Sequence, residues 1–201
     1  MPFRFVCATS KQTGQTVVLS SYYNNRRGSN MLNTAQIWQV ARATSAASTF
    51  FDLITIGDEG FYDGGTGANN PITYLWTEAR DIWGEGIPNF DDSVRCLVSI
   101  GTGVPSLTPF GDDPVQLGKA LLPISTETET TAGSFQKDHS KLYQVNRAFR
   151  FNVTRGLENV GLEETSKWPE IKAATRAYIE TEDVRVRMKN CALELRQIRC
   201  M

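Results

Sequence analysis

The sequence lacks the features that would assign it to several large classes of protein. Its 21 Lys and Arg residues are balanced by 22 Asp and Glu, for a formal charge of -1. It therefore has no basic excess with which to bind a phosphate backbone, and nucleic acid is not an expected partner. No apolar run approaches the roughly 20 residues that cross a bilayer, and the N-terminus does not resemble a signal peptide. These absences predict a chain that is cytoplasmic or peripheral to membranes.

Cysteine and histidine are also scarce, which argues against metal sites and a disulfide framework. The four cysteines show neither CxxC nor Cys/His metal-ligand spacing; they are Cys7, Cys96, Cys191 and Cys200. We therefore expect reduced thiols, no metal and no cofactor. The single histidine, His139, lies in a polar stretch. A Ser-His-Asp triad would have to recruit it, and we expect it to be exposed to solvent instead.

The residues that are present predict one α/β domain. A chain of 201 residues is long enough for one sizeable core, and we take 1–201 as one domain. Short β-branched runs at 3–8 and 15–20 are followed by helical patterns at 33–43 and from Pro71 onward. Such alternation favours a mostly parallel sheet covered by helices. The 33–43 helix carries apolar side chains on nearly all sides, which predicts that it is buried.

A glycine-rich segment contains the first candidate for chemistry. Residues 55–70 include five glycines, which predicts a loop. The loop ends at Asn70-Pro71, a predicted helix cap and first helical residue. Within it, the Asp63 carboxylate precedes two residues without side chains, Gly64 and Gly65, and could act as a general base for a hydroxyl nucleophile. Asp-Gly is also a common turn dipeptide, so a purely structural turn stays open.

Other motifs are weaker. The strand-like run 95–100 leads into Gly101-Thr102-Gly103, which is similar to a phosphate-binding loop, but neither GxGxxG nor GxxxxGK[ST] occurs. A glycine-rich exit from a buried strand is the stronger interpretation. Asp113-Pro114 predicts a further helix start. No GxSxG motif is present, because neither Ser45 nor Ser99 has the flanking glycines. Basic residues of the last helix could contact an anionic surface or form a solvated face.

Several of these segments occur in an order typical of one known family. They are 41–47 (ARATSAA), Phe50-Phe51, Asp63-Gly64-Gly65, Asn69-Asn70-Pro71 and 99–103 (SIGTG). In this order they make the chain resemble the patatin-like phospholipase family, over nearly its whole length. The resemblance implies a three-layer α/β/α fold with a mostly parallel sheet.

The resemblance also implies a chemistry. The family hydrolyses acyl esters of lipids with a serine-aspartate dyad that uses neither histidine nor metal. Its DG[GA] aspartate corresponds to Asp63, with Gly64, Gly65, Asn69 and Asn70 in the supporting loop. The family's GxSxG serine and oxyanion loop lie upstream of the strand at 3–8. Because the two members of a dyad act as a unit, we expect this chain to supply the aspartate only and to be inactive alone.

Three functions are compatible with these residues. The first is a lipid acyl hydrolase domain, and the second is a non-catalytic remnant that binds lipid or a protein partner. The third is a nucleotide-binding module built on Gly101-Thr102-Gly103. Expected partners are a lipid or other acyl-ester substrate, transiently a membrane surface, and either the upstream segment or a second copy. An unpaired edge at strand 3–8 or a neighbour would promote that self-association.

Overall fold

The computed structural model describes residues 3–27, 33–47, 50–104, 121–158, 160–161 and 164–197. The chain forms two compact units. The first comprises Met1–Ile87 with Ala120–Ala132, and the second Pro88–Lys119 with Gly133–Met201. The helix predicted at Asp113-Pro114 lies outside the described residues.

The first unit is built on a four-stranded sheet in which every pairing is antiparallel. Its strands are β1 (Phe5–Ser10), β2 (Thr16–Ser20), β3 (Ile54–Ile56) and β4 (Glu59–Asp63), in the order β2-β1-β4-β3. Short turns join β1 to β2 and β3 to β4, with Gly14 at φ 68° and Gly57 at φ 61°. Parallel neighbours need a crossover of a dozen or more residues, so these connections require antiparallel pairing.

This sheet corrects two predictions and locates the edge strand of a third. The mostly parallel sheet is wrong for β1–β4: the short turns require two of the pairings to be antiparallel, and the pairing of β1 with β4 is antiparallel as well. The glycine-rich segment 55–70 is not a loop throughout, since it contains β4 and a short helix, α2 (Gly65–Ala68). The unpaired edge expected at strand 3–8 or a neighbour falls on the neighbour, because β2 and β4 flank β1, and β2 and β3 are the outer strands of the sheet in the described part of the chain.

Two longer helices complete the first unit, α1 (Ile37–Thr44) and α3 (Ile72–Trp83). Helix α1 begins later than predicted, at a capping box formed by Gln36 and Gln39. Its predicted burial is wrong: Ala43 is its one buried residue, and Ile37 is 90% exposed. The buried core of this unit combines one residue of α1 with four from the sheet: Ala8, Leu19, Ala43, Ile56 and Phe61.

The second unit contains a parallel pair of strands, β5 (Leu97–Ile100) and β6 (Ala148–Phe151). Helix α4 (Leu121–Asp138) contributes residues to both units. The remaining helices are α5 (Ser140–Gln144), α6 (Trp168–Glu180) and α7 (Glu182–Arg196), with short 3₁₀ turns at Phe90–Ser93 and Thr165–Lys167. Apolar spacing in the sequence predicts the two terminal helices.

The mixed α/β class is confirmed by these elements, whereas the three-layer arrangement stays a prediction. Parallel pairing is confined to β5 and β6 among the described strands. None of the helices within the described ranges is both long enough and apolar enough to span a bilayer.

Candidate functional site

Asp63 is the last residue of β4, and three separate segments hold its backbone. It lies opposite Ala8 of β1 in the sheet register. Its N–H donates to the Ala46 carbonyl at 3.1 Å, and its carbonyl accepts the Thr9 hydroxyl at 2.9 Å. Because Thr9 is buried, that bond is shielded from water. The position of Asp63 is therefore fixed by tertiary structure, and the predicted placement in a loop is wrong.

The Asp63 carboxylate uses its two oxygens differently. Oδ1 accepts the Gly65 N–H at 2.5 Å, which orients the group. Oδ2 has no hydrogen-bond partner among the residues that the structure describes, and the side chain is only partly buried. One oxygen is therefore held while the other retains the capacity to accept a proton. That this oxygen opens into a cleft stays a prediction.

The two glycines after Asp63 are required for different reasons. A Cβ on Gly64 would lie 2.2 Å from the Cys7 carbonyl oxygen, so the backbone of β1 excludes a side chain there. A Cβ on Gly65 would lie 2.9 Å from Asp63 Oδ1. The first glycine lets the sheet and the turn pack closely, and the second keeps the space beside the carboxylate clear.

The segment 41–47 supports the same turn from the other side. Besides the bond from Asp63 to Ala46, the Gly64 N–H donates to the Thr44 carbonyl at 3.4 Å. The Thr44 hydroxyl donates to the Cys7 carbonyl at 2.7 Å. Thr9, Thr44 and Ala46 are thus positioning residues that the sequence alone does not identify. For Thr44 and Ala46 the signal in the sequence is that 41–47 is one of the segments carrying the family resemblance; Thr9 has none.

Asn69 and Asn70 lie just beyond α2 and bind α4. The Asn69 carboxamide donates to the Thr128 hydroxyl at 2.8 Å, and Asn70 donates to the Thr128 carbonyl at 3.2 Å. Asn70 Oδ1 also accepts the Ile72 N–H at 3.3 Å, the capping interaction expected at the start of α3. The structure therefore gathers Asp63, both glycines and both asparagines around one short turn.

A buried polar cluster, for which the sequence gives no signal, holds the segment after β2 against α3. Glu78 is buried and accepts hydrogen bonds from the Tyr22 hydroxyl at 2.8 Å, the Asn24 carboxamide at 3.2 Å and the Arg27 guanidinium at 2.8 Å. Burial, then the bond to Glu78, raises the pKa of Tyr22. The polar composition of residues 22–30 predicts a loop there but does not indicate its partner.

His139 is not the solvent-exposed histidine that we expected. Its Nδ1 lies 3.1 Å from both carboxylate oxygens of Asp91. Its ring centroid is 4.3 Å from that of Phe135, and its side chain is 18% exposed. Aromatic cover and a carboxylate partner account for the difference.

The Gly101-Thr102-Gly103 turn gives little support to phosphate binding. The Gly103 N–H donates to Asn152 Oδ1 at 2.7 Å, so one loop amide is already used by the protein. A Cβ on Gly101 would lie 2.3 Å from that same oxygen. Close packing of β5 against the residue after β6 explains these glycines. Within the described ranges no group of three or more His, Cys, Asp or Glu side chains is arranged to hold a metal ion.

Comparison with known proteins shows a similarity to one family. A family model described as patatin-like phospholipase matches residues 4–76. Phospholipase A I of Arabidopsis thaliana is 29% identical over 150 residues, 73% of this chain and 11% of that protein. Calcium-independent phospholipase A2-gamma of Rattus norvegicus is 29% identical over 159 residues, 76% of this chain and 19% of that protein. Residues 4–76 of the chain are therefore similar to the patatin-like phospholipase family.

The patatin-like match and the site coincide. Residues 4–76 include Asp63, both following glycines, and the positioning residues Thr9, Thr44 and Ala46. The human calcium-independent phospholipase A2-gamma is 27% identical over 159 residues and is likewise matched over only 19% of its length. The chain therefore spans between about a tenth and a fifth of the length of these three relatives.

Proposed function

We propose that this chain contributes Asp63 as the general base of a serine-aspartate dyad that hydrolyses acyl esters of lipids. The observation that carries the proposal is the asymmetric carboxylate. Oδ1 is held by the Gly65 N–H, while Oδ2 has no partner among the described residues. A base must accept a proton without losing its orientation, and this arrangement suits that task.

The proposed reaction has two steps. Asp63 takes the proton of the serine hydroxyl while the serine oxygen attacks the ester carbonyl; the ester C–O bond then breaks, and Asp63 gives that proton to the departing alcohol oxygen. Asp63 next deprotonates a water that attacks the acyl-enzyme; the bond between the acyl carbon and the serine oxygen breaks, and Asp63 returns the proton to the serine. The Ala46 carbonyl and the Thr9 hydroxyl hold the Asp63 backbone, and the Gly65 N–H holds Oδ1 of the carboxylate. Little reorganisation is therefore needed as the reaction proceeds.

We propose that the serine comes from a GxSxG segment outside these 201 residues. Neither Ser45 nor Ser99 lies in such a motif. Ser99 Oγ accepts a hydrogen bond from Arg150 at 2.9 Å, within the second unit. The chain alone is then inactive toward esters. Joined to the rest of a patatin-like domain, its strands and helices would form part of the three-layer fold.

The relatives are named as phospholipases, which supports lipid esters as substrates. The test is a chimera in which a patatin-like segment carrying GxSxG is joined ahead of residue 1. We expect it to hydrolyse a soluble nitrophenyl ester, and expect Asp63→Asn to reduce kcat/KM at least about a thousandfold. The matched control is Asp58→Asn, in the exposed β3–β4 turn, which should retain activity.

Two results would refute the dyad. One is full activity in the Asp63→Asn chimera. The other is hydrolysis by the 201-residue chain alone that is lost on changing Ser45 or Ser99. A folded chimera that never hydrolyses esters but binds lipid would favour the alternative, a non-catalytic lipid-binding remnant.

A further inference from the structure

Two cysteines that are far apart in the sequence meet in the second unit. Cys96 immediately precedes β5, and Cys191 lies within α7. Their side chains are hydrogen-bonded to each other, and both are free thiols. Both residues belong to the second unit. The fold therefore holds two thiols side by side.

A polar contact beside the thiols holds the same two segments together. Arg95 Nε lies 3.6 Å from Glu194 Oε2, and the Arg95 guanidinium also donates to the Gln197 side-chain oxygen. Arg95 is the chain neighbour of Cys96. Glu194 lies about one helical turn after Cys191 on α7. The start of β5 is thus held against this part of α7 independently of the sulfur atoms.

Helix α7 is also attached to β6. The Arg187 guanidinium donates to the Arg150 carbonyl and lies 5.4 Å from the centre of the Phe51 neighbour-free Phe151 ring. The buried residues of α7 are Val184 and Cys191, which are about two helical turns apart and share a face. Cys191 therefore lies on the face that the helix buries.

The two thiols differ in exposure, which gives them different roles toward an oxidant. Cys191 is 6% exposed, whereas Cys96 is partly exposed. A small oxidant reaches the partly exposed sulfur first, and the buried sulfur is reached by its neighbour. Redox-active pairs of cysteines combine an accessible thiol with a resolving thiol beside it. Cys96 and Cys191 have this arrangement.

We propose that Cys96 and Cys191 form a reversible disulfide that fastens α7 to the start of β5 when hydrogen peroxide oxidises the pair. The Cys96 sulfur attacks the peroxide, the O–O bond breaks, water leaves and Cys96 becomes a sulfenic acid. The Cys191 sulfur then attacks the Cys96 sulfur, the S–O bond breaks, and a second water leaves with the Cys191 proton. Two thiols are oxidised to one disulfide while the peroxide is reduced to two waters.

The surroundings of Cys96 make this oxidation slow at neutral pH. Burial, then the adjacent Cys191, raises the pKa of Cys96 from 9.0 to about 11. The charged groups beside it are Glu194 of α7, which acts in the same direction, and Arg95, which is paired with Glu194. Because the thiolate is the attacking species, the pair resists brief exposure to peroxide and reacts during sustained exposure.

The test is peroxide treatment of the reduced 201-residue chain, followed by intact-mass measurement and peptide mapping. We expect the loss of two hydrogens and a cross-linked peptide pair that contains Cys96 and Cys191, both reversed by dithiothreitol. The oxidised chain should melt at least about 5 °C above the reduced chain, because the bond closes a loop of roughly a hundred residues in the unfolded state. Cys200→Ser is the matched control and should form the same bond.

Two variants separate the roles of the thiols. Cys191→Ser has no resolving thiol, so its Cys96 should stop at the sulfenic acid, which dimedone traps. Cys96→Ser should give no disulfide at Cys191 and no dimedone adduct there, because Cys191 is buried. Cys96→Ser changes a partly exposed side chain and is the milder substitution. A dimedone adduct on Cys191 in that variant would contradict the assigned roles.

The pH dependence gives a further readout. Between about pH 9 and about pH 10 the rate of disulfide formation should rise about tenfold, whereas oxidation of free glutathione by the same peroxide should rise less than about twofold. Equal pH dependence would contradict a shielded pair.

Other results would overturn the disulfide itself. They are a sulfenic acid on Cys96 that never becomes a disulfide, a bond to Cys7 or Cys200 instead, or an oxidised chain that melts below the reduced one. Asp63→Asn should form the bond like the unchanged chain, because the pair lies outside the proposed dyad and does not depend on it.

Discussion

Glycine is required at position 64 because of tertiary structure and not because of local backbone conformation. Its φ of -65° is available to any residue, so backbone conformation does not require glycine there. What requires it is the Cys7 carbonyl, 2.2 Å from where a Cβ would stand. The sequence identifies Asp63-Gly64-Gly65 as a motif, but it cannot reveal that β1 passes behind the middle residue.

Gly64→Ala should therefore be severely destabilising. We expect a loss of at least about 2 kcal/mol in the free energy of unfolding, because the obstacle is backbone and cannot rotate away. Gly133→Ala is the control: it lies in α4, nothing stands within 4 Å of its added Cβ, and alanine favours helix. Thermal melts of both variants check this. Equal melting temperatures would show that the turn can shift to make room for the added Cβ.

The Glu78 cluster is the clearest link between elements in the first unit. The Glu78 and Arg27 side chains are 6% and 28% exposed, so their ion pair is largely withdrawn from water. By contrast, the Asp92 and Lys141 side chains are 56% and 63% exposed in the pair they form. Because the Arg27–Glu78 pair is buried, breaking it costs much stability. The exposed Lys141–Asp92 pair contributes almost nothing to stability.

A pair of double-mutant cycles should reveal that difference. Replacing Arg27 by Met leaves Glu78 without its cation and should cost about 3 kcal/mol. The Arg27→Met/Glu78→Met double variant should be less unstable than the sum of its single variants, with a coupling energy above about 1 kcal/mol. For Lys141 and Asp92 the coupling should stay below about 0.5 kcal/mol. Equal couplings in urea unfolding would contradict the account.

Local sequence signals locate some elements well and others poorly. The β1–β2 hairpin, the cap at Asn70 and the two terminal helices follow from turn residues and apolar spacing. The sequence does not predict strand β4, because Gly57, Gly60 and Gly64 resemble loop residues. In the structure each of these glycines is required for a different local reason. The predicted burial of α1 is wrong, since an apolar helix has the same sequence pattern whether or not its faces are covered in the structure.

At the scale of the whole molecule, alkaline pH should weaken both units. Burial raises the pKa of Cys7 and of Cys96 from 9.0 to about 11, and these thiols lie in different units. The unfolded chain releases their protons first as pH rises. Their contribution to stability is therefore complete below pH 9 and is lost between pH 9 and 11.

Melting temperatures at about pH 8 and about pH 10.5 measure this effect. The unchanged chain should lose more stability between the two values than a Cys7→Ala/Cys96→Ala variant, which has no such thiols to ionise. Replacement by alanine removes the same packing contacts at both pH values. Only the change in melting temperature between the two pH values is therefore informative. An identical pH dependence in the variant would show that these thiols are not shielded.

The sequence predicts the residues of the site that form a local motif, but not those that reach it through tertiary structure. The carboxylate, its glycines and the two asparagines follow from a local motif and a family resemblance. Thr9 and Thr44 cannot, because they reach Asp63 and Cys7 only after β1, α1 and β4 assemble. These 201 residues do not reveal the nucleophile, since no GxSxG motif occurs in them.

Activation of a serine by Asp63 is the central claim, and a fluorophosphonate probe tests it most directly. The probe reacts with an activated serine and needs neither lipid docking nor deacylation. In the chimera that carries GxSxG, intact-mass measurement should find one label, on the motif serine. Asp63→Asn should slow labelling at least about a hundredfold, and Asp58→Asn should not. Equal labelling rates in the two variants, or a label on Ser45 or Ser99, would contradict the account.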